Sequence, residues 1–287
     1  MRNCLLYLLP PILGQILTAC KDDGALSSPW NQANDDTAVD DNANTSNPSR
    51  SANVAFSVPE RVWDLAEHPD GSIVCSTQSG SKVYYWDPQT DLRTETRERY
   101  QDIQFLLIPT SDETFFTTTE YGVTGTLSVM RGAQSEVLHS QAADGTLLRM
   151  PMDFVPTDDG GWIIADYKAE MLFVVSASGS VSTHESGSSN PEALLLQGSV
   201  LYVAGEDGIF AMDWPNGAPE KIDDRQGHGL TWVNGELWSS NSSNGVFVVE
   251  GTSVGLNQAG RPSVLLSTAE GLYFADQVGE DVWFSPW

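Results

Sequence analysis

The chain has 287 residues, a length that an all-β architecture can fill as a single domain. It carries 39 acidic and 14 basic side chains, which gives a formal net charge of −25 at pH 7. This charge repels nucleic acid and anionic lipid surfaces, so we expect neither to be a partner.

The first 20 residues have the features of a lipoprotein signal. Arg2 precedes the short apolar run "LLYLLPPILGQIL", so we interpret residues 1–19 as a cleaved secretory signal rather than a membrane span. The stretch "LTAC", which ends at Cys20, resembles the lipobox of bacterial lipoproteins. The resemblance implies lipidation of Cys20 and a cell-envelope protein anchored to the outer membrane, on its periplasmic face or at the cell surface. The alternative is an ordinary secreted protein with a cysteine near its cleavage site.

Residues 20–52 form a polar segment that is rich in Asp and Asn and has no apolar periodicity. This composition is typical of a disordered tether. We therefore predict that the folded domain begins at about residue 53.

One short phrase then recurs six times: two or three apolar residues, a small residue and a polar residue. The small residues of the six copies are Cys75, Thr117, Ala165, Ala204, Ser239 and Ala275. They lie roughly 40 residues apart, a period that marks a repeat architecture. At such a position we interpret Cys75 as a buried small residue rather than a reactive thiol.

The fifth copy indicates what one repeat contains. The runs "GLTWV", "ELWSS", "VFVVE" and "SVGL" have the composition of short strands. Asn234-Gly235 separates the first two, and Asn-Gly between apolar runs predicts a tight hairpin. Four-stranded units of about 40 residues are the blades of a β-propeller.

The sixth copy has only three strands before the chain reaches Trp287. An extra run with strand composition, "NVAFSV", stands at residues 53–58, ahead of the first copy. We predict that this run joins the last blade as its outer strand. It would close an all-β, six-bladed propeller over residues 53–287 and protect the sheet edges.

Residues that enter the innermost strands of a propeller converge on one mouth of its central channel, where function usually lies. At these places the copies carry polar side chains, of which we predict as ligand-binding Glu60, Asn190, Glu192, His228 and Arg261. Other polar residues at this level are Arg61, Asp102, Arg149 and Asp153. The same ring could equally be a solvated channel closed by salt bridges. We predict no catalytic nucleophile, because the Gly-x-Ser-x-Gly match at Ser253 has no helix after it.

The blades "GHGLTWVNGELWSSNSSNGVFVV" and "MDFVPTDDGGWIIADYKAEMLFVV" resemble NHL-type repeats and the six-bladed propellers of the SMP-30/gluconolactonase type. In those enzymes a divalent cation is held by a Glu at the first inner strand and by Asn and Asp from later blades. The resemblance implies Glu60 and Asn190 as ligands of calcium or another divalent cation. His228 stands where the final Asp would be expected.

Two hypotheses about function follow. We favour a membrane-tethered recognition or scaffold module, expected to be monomeric, which binds a polar ligand or an envelope protein without a cofactor. The alternative is a divalent-metal-dependent lactone or ester hydrolase.

Overall fold

A computed structural model describes residues 51–77, 82–95, 103–110, 113–120, 124–131, 134–241, 243–254, 256, 262–276 and 279–287. The chain divides into two units, Met1–Ser46 and Asn47–Trp287, and the described residues all belong to the second. The predicted signal, the lipidated Cys20 and most of the tether lie outside the described residues and stay predictions, as do the placements of Asp102 and Arg261. No helix in the described ranges is long and apolar enough to span a bilayer.

The described strands form six four-stranded antiparallel sheets, which are the blades. The innermost strands of blades 1 to 6 are β2 (Val62–Glu67), β6 (Ile103–Thr110), β10 (Pro151–Pro156), β14 (Pro191–Gln197), β18 (Gly229–Val233) and β22 (Pro262–Ser267). The second strands are β3 (Ile73–Thr77), β7 (Glu113–Glu120), β11 (Trp162–Asp166), β15 (Val200–Gly205), β19 (Glu236–Asn241) and β23 (Gly271–Asp276).

The third strands are β4 (Val83–Asp87), β8 (Thr124–Arg131), β12 (Met171–Val175), β16 (Gly208–Asp213), β20 (Gly245–Val248) and β24 (Asp281–Pro286). The outer strands are β5 (Leu92–Glu95), β9 (Gln134–His139), β13 (Val181–Glu185), β17 (Glu220–Asp223), β21 (Ser253–Val254) and β1 (Asn53–Ser57). Each inner strand contacts the next around the ring, and β22 contacts β2. The prediction of an all-β propeller is confirmed.

The turn chemistry of blade 5 follows the sequence. Asn234 and Gly235, which join β18 to β19, have φ angles of 50° and 89°. Both residues therefore adopt the left-handed backbone conformation that a two-residue hairpin turn requires, and that Asn and Gly tolerate best.

The outer strand of the last blade comes from the N-terminal side of the domain, as predicted. β1 pairs antiparallel with β24, with Val54 opposite Trp283 and Phe56 opposite Val282. The Phe56 ring is buried and stacks on Trp86 of blade 1 at a centroid distance of 4.9 Å. β1 thus completes blade 6 and also packs against blade 1, so it closes the ring.

The hydrophobic core is divided among the blade interfaces. Six clusters of buried apolar side chains occur among the described residues, and each joins two neighbouring blades. Phe173 of blade 3, for example, packs with Phe115 of blade 2, and Phe247 of blade 5 packs with Ala204 of blade 4. Each blade therefore buries both of its faces against its neighbours, and the stability of the closed ring depends on these six interfaces.

The strand register corrects one detail of the sequence alignment. Ala165 lies opposite Asp153, directly after a bulge in the inner strand, and Ala275 lies opposite Val264 in the same way. In blade 1 the corresponding partner is Ser76, opposite Asp64. Ser76 therefore holds the small-residue position, because the first copy is shifted by one residue. Cys75, one residue earlier, is fully buried, which agrees with its interpretation as a packing residue.

We predict that Phe56→Ala destabilises the domain by about 3–5 kcal/mol, the usual loss when a buried aromatic side chain is truncated. Val54→Ala, in the same strand but at a position that is 45% exposed, should change stability by about 0.5 kcal/mol or less. Urea unfolding followed by tryptophan fluorescence measures both. Equal losses for the two variants would show that β1 does not close the ring through Phe56.

Candidate functional site

The loops that enter the inner strands are held by polar residues at the ends of the second strands. In blade 3, the Asp166 carboxylate accepts hydrogen bonds from the backbone N–H groups of Arg149 and Met150, at 2.6 and 3.1 Å, and from those of Lys168 and Ala169. Burial raises the pKa of Asp166, and these four N–H donors oppose the shift. Asp166 is the polar residue of the repeated phrase "IIAD", so the repeat itself encodes this loop anchor.

Blade 5 uses an amide in the same role. The Nδ2 of Asn241, the last residue of β19, donates to the carbonyl oxygen of Gln226 at 2.6 Å, and Asn241 Oδ1 accepts from the backbone N–H of Ser243. The segment that leads into the inner strand β18 is therefore held by the last residue of β19, which lies beside it at the open end of the hairpin. In these two blades the backbone before the inner strand is held by such an anchor.

A backbone bulge interrupts the inner strand of blade 4 at a residue of the predicted ligand-binding set. The register of β14 against β15 shifts between Pro191 and Ala193, so Glu192 has no residue opposite it. Bulges re-aim side chains and often lie beside functional sites. Glu192 is only 3% exposed, and its carboxylate reaches the first residues of blade 5.

His228 lies immediately before β18, whose pairing with β19 has no bulge. Its backbone N–H donates to the carbonyl oxygen of Ser240 at 2.8 Å. Gly227 beside it has no room for a side chain, because a Cβ there would lie 2.7 Å from Ser239 Oγ and 2.8 Å from Ala204 Cβ. The glycine lets the backbone of this loop pass between blades 4 and 5 and brings the imidazole to Glu192.

Glu192 and His228 form a buried pair between neighbouring blades. His228 Nδ1 lies 2.5 Å from Glu192 Oε2, and the two side chains are 6% and 4% exposed. Burial lowers the pKa of His228, but the charge and hydrogen bond of Glu192 outweigh it and the net shift is upward. Burial raises the pKa of Glu192, and His228 only partly offsets this. Such a contact fixes the ring and favours the protonated imidazole.

A second polar bridge joins blades 3 and 4 beside this pair. Tyr167 donates its hydroxyl proton to Glu206 Oε1, and Asn190 Nδ2 donates to Glu206 Oε2 at 2.7 Å. Asn190 has a φ of 53°, a left-handed conformation that Asn tolerates. Glu206 interacts electrostatically with both His228 and Glu192. The two bridges therefore form one polar cluster on this side of the mouth.

The other predicted residues lie elsewhere around the ring. Glu60, before β2 of blade 1, accepts a hydrogen bond on Oε2 from Thr77 Oγ1 at 2.8 Å. The Arg149 side chain is exposed, and Arg261 is outside the described residues. Ser253 lies in the outer strand β21, which is separated from the inner strand β18 of its blade by two other strands.

Among the residues that the structure describes, the cation site implied by the resemblance lacks a set of converging ligands. No group of three or more His, Cys, Asp or Glu side chains in the described part of the chain is arranged to hold a metal ion. Calcium takes six or more oxygens, and Glu60 and Asn190 would supply only part of this set; Glu60 Oε2 already accepts from Thr77, and Asn190 Nδ2 donates to Glu206. These donors do not assemble a calcium site as they stand, and a cation bound by Glu60 and Asn190 stays a prediction.

Two members of the cluster, Tyr167 and Glu206, were not among the predicted site residues. Both follow directly after the second strand of their blades, in "ADY" and "AGE". The sequence signal that marks them is the polar end of the repeated phrase. The second strand ends there, at the same mouth where the inner strand begins.

No protein-family model and no curated protein matches the sequence. Solved structures match its fold. A presumed gluconolactonase superposes with a TM-score of 0.68 at 14% identity, over 84% of this chain and 93% of the other. A gluconolactonase from Xanthomonas campestris gives a TM-score of 0.61 at 18% identity, over 82% and 89% of the two chains.

A catalytically inactive histidine-to-alanine variant of virginiamycin B lyase from Staphylococcus aureus, solved with quinupristin, is also similar. It gives a TM-score of 0.58 at 13% identity, over 82% of this chain and 88% of the other. At these identities the similarity shows a shared propeller fold. Function has to be argued from the site.

Asp153 provides a test of the electrostatics inside the ring. Burial raises its pKa to about 8, from an ordinary value of 3.8; the backbone N–H groups of Leu194 and Phe154 oppose the shift, and the charge of Asp64 adds to it. Because the folded-state pKa of Asp153 lies above its unfolded value, the contribution of Asp153 to the stability of the fold is complete below about pH 4. It is lost as the pH rises through about 8. Carbon-13 NMR of the carboxyl groups should show this late titration.

The Asp153→Asn variant should lose that carboxyl resonance and show a smaller decrease of melting temperature between about pH 4 and pH 8 than the wild type. A carboxyl resonance of Asp153 that titrates near 4 would contradict the prediction.

Proposed function

We propose that this propeller is an enzyme that hydrolyses an ester or lactone bond at the channel mouth, with His228 as general base and Glu192 as the residue that orients it. One observation carries the proposal: the buried contact of 2.5 Å between His228 Nδ1 and Glu192 Oε2 at the start of two neighbouring inner strands. An imidazole held by a carboxylate is the recurring arrangement for general acid–base catalysis.

The similarity of fold to gluconolactonases and to a lyase supports catalysis over recognition alone, because the names of these proteins describe enzymes. One of them loses its catalysis when a histidine is replaced by alanine. This support is an analogy of fold, so the weight of the proposal rests on the His228–Glu192 pair.

The proton transfers of the reaction can be carried by the His228–Glu192 pair. When Nδ1–H is donated to Glu192, Nε2 carries the lone pair and can accept a proton. His228 takes a proton from water while the water oxygen bonds to the carbonyl carbon of the substrate. The bond from that carbon to the leaving oxygen then breaks, and the imidazolium returns its proton to the leaving oxygen. Glu192 stabilises the imidazolium formed between the two steps. A lactone would give a hydroxy acid.

We expect His228→Gln to lower kcat/KM for the best lactone or ester substrate about 100-fold or more, because general-base catalysis contributes on this scale. His184→Gln is the matched control, since His184 lies in the outer strand β13 beside Trp214, away from the inner strands. Turnover is measured as proton release across a panel of γ-lactones, δ-lactones and simple esters. No turnover of any of these substrates by the wild type would favour the recognition or scaffold hypothesis.

The cation implied by the resemblance is not part of this proposal, and calcium alone tests that separate prediction. If Glu60 and Asn190 hold calcium, a concentration of 100 times the dissociation constant should stabilise the domain by about 2.7 kcal/mol. Thermal melting with and without calcium measures this shift, and Glu60→Gln should abolish it. Magnesium serves as a second cation in the same assay. Melting curves that calcium and magnesium leave unchanged would contradict a metal at this mouth.

A further inference from the structure

The Glu206 carboxylate is an exposed acceptor that is held in a fixed orientation. Tyr167 donates to one oxygen and Asn190 to the other, and these two donors belong to different blades. Burial and the nearby Glu206 raise the pKa of Tyr167, so its hydroxyl stays protonated and remains a donor. A carboxylate has about four acceptor positions. Two are used by these donors, and Glu206 is exposed, so the remaining acceptor positions are open to a further donor.

Glu192 provides an independent observation beside it. This residue is 3% exposed, and its Oε2 contacts His228. Its other oxygen, Oε1, is buried without a hydrogen-bond partner among the described residues. A buried acceptor left unpaired is costly, and in a native protein it calls for an explanation, such as a group supplied from outside the chain.

The charges of this cluster do not balance. Neither Glu192 nor Glu206 makes an ion pair with a Lys or Arg in the described ranges, and His228 is the cationic partner of Glu192. The nearby Lys168 places its Nζ 5.1 Å from the centre of the Tyr167 ring. The cluster thus has two carboxylates for one imidazole, in a chain whose net charge is −25.

From these observations we infer that the substrate carries a cationic ammonium group next to its ester or lactone carbonyl, and that Glu206 binds this group while Glu192 supplies a second acceptor. The inference rests on the proposed hydrolysis at His228 and specifies its substrate class as amino lactones or amino-acid esters. An ammonium ion supplies N–H donors and positive charge together, and charge-assisted hydrogen bonds are the stronger kind. A neutral amide of the same substrate would leave Glu206 without a counter-charge.

The test compares homoserine lactone with its N-acetyl derivative, which keeps the ring and removes the charge. At about pH 6 the free α-amino group is protonated. We expect wild-type kcat/KM to be about tenfold or more higher for the cationic lactone, and this ratio to fall as salt is added. Glu206→Gln should bring the ratio to about 1, because it removes the charge and keeps the shape.

Glu220→Gln is the control variant, since Glu220 is an exposed carboxylate on the outer strand β17 of the same blade. It should keep the wild-type ratio. A ratio near one in the wild type, or a preference that survives Glu206→Gln, would overturn the inference while leaving hydrolysis in place. If Glu206→Gln does not fold, as judged by its melting curve, the salt dependence of the wild-type ratio decides the question.

Binding to the His228→Gln variant separates this inference from the proposed function, because the lactones are not consumed there. Calorimetry should show homoserine lactone binding about tenfold more tightly than the N-acetyl derivative. If the wild type hydrolyses neither lactone and this binding preference is present, the ammonium site stands and hydrolysis of this substrate class at His228 is wrong. Equal or undetectable binding of the two lactones would refute the ammonium site.

Discussion

In blades 3 and 5 the loops at the channel mouth depend on one hydrogen-bond arrangement, in which the polar residue that ends the second strand binds the backbone that leads into the inner strand of the same blade. Asp166 does this through the N–H groups of Arg149 and Met150, and Asn241 through the carbonyl of Gln226. Because the bonds are made to backbone atoms, they hold a loop in place whatever side chains it carries. The loop residues themselves are left to differ between blades, which allows a symmetric scaffold to carry an asymmetric site.

Two backbone devices then bring side chains of different blades together. The bulge in β14 re-aims Glu192, and the crowded Gly227 lets the backbone before β18 pass close to Ala204 and Ser239. Neither device alone would form the pair. The carboxylate reaches across the interface between blades 4 and 5, and the backbone of His228 is held to Ser240 by a hydrogen bond beside the contact. The rigidity of the pair is thus derived from the sheet hydrogen bonds on both sides.

Burial of these charged groups is unfavourable by itself, as the raised pKa values of Glu192 and Asp153 indicate. The stabilisation that offsets it comes from the apolar clusters between blades, in which Phe173, Phe247 and Phe274 are almost wholly buried. The polar mouth and the apolar interfaces occupy different parts of each blade. The domain can therefore keep buried carboxylates with raised pKa values at the mouth, because its stability comes from the apolar interfaces between blades.

The sequence by itself determined the blade, because a blade is defined by local signals: alternating apolar residues, the Asn234-Gly235 turn and the polar residue at the end of each repeated phrase. It also placed the strand at residues 53–58 in the last blade and put Glu192 and His228 at the start of inner strands. The strands and turns depend on short-range sterics and hydrogen bonding, which are visible over a few residues, whereas the place of residues 53–58 followed from counting, since the sixth copy has only three strands.

Only the tertiary structure decided which side chains meet. Glu192 and His228 are 36 residues apart in sequence, and Tyr167 and Glu206 are 39 apart. Whether such residues touch depends on the register of each strand, and a bulge shifts that register by one residue without a clear signature in composition. The same one-residue uncertainty put Cys75 in the alignment where Ser76 lies in the fold. Contacts between blades are set by closure of the whole ring, which no local pattern describes.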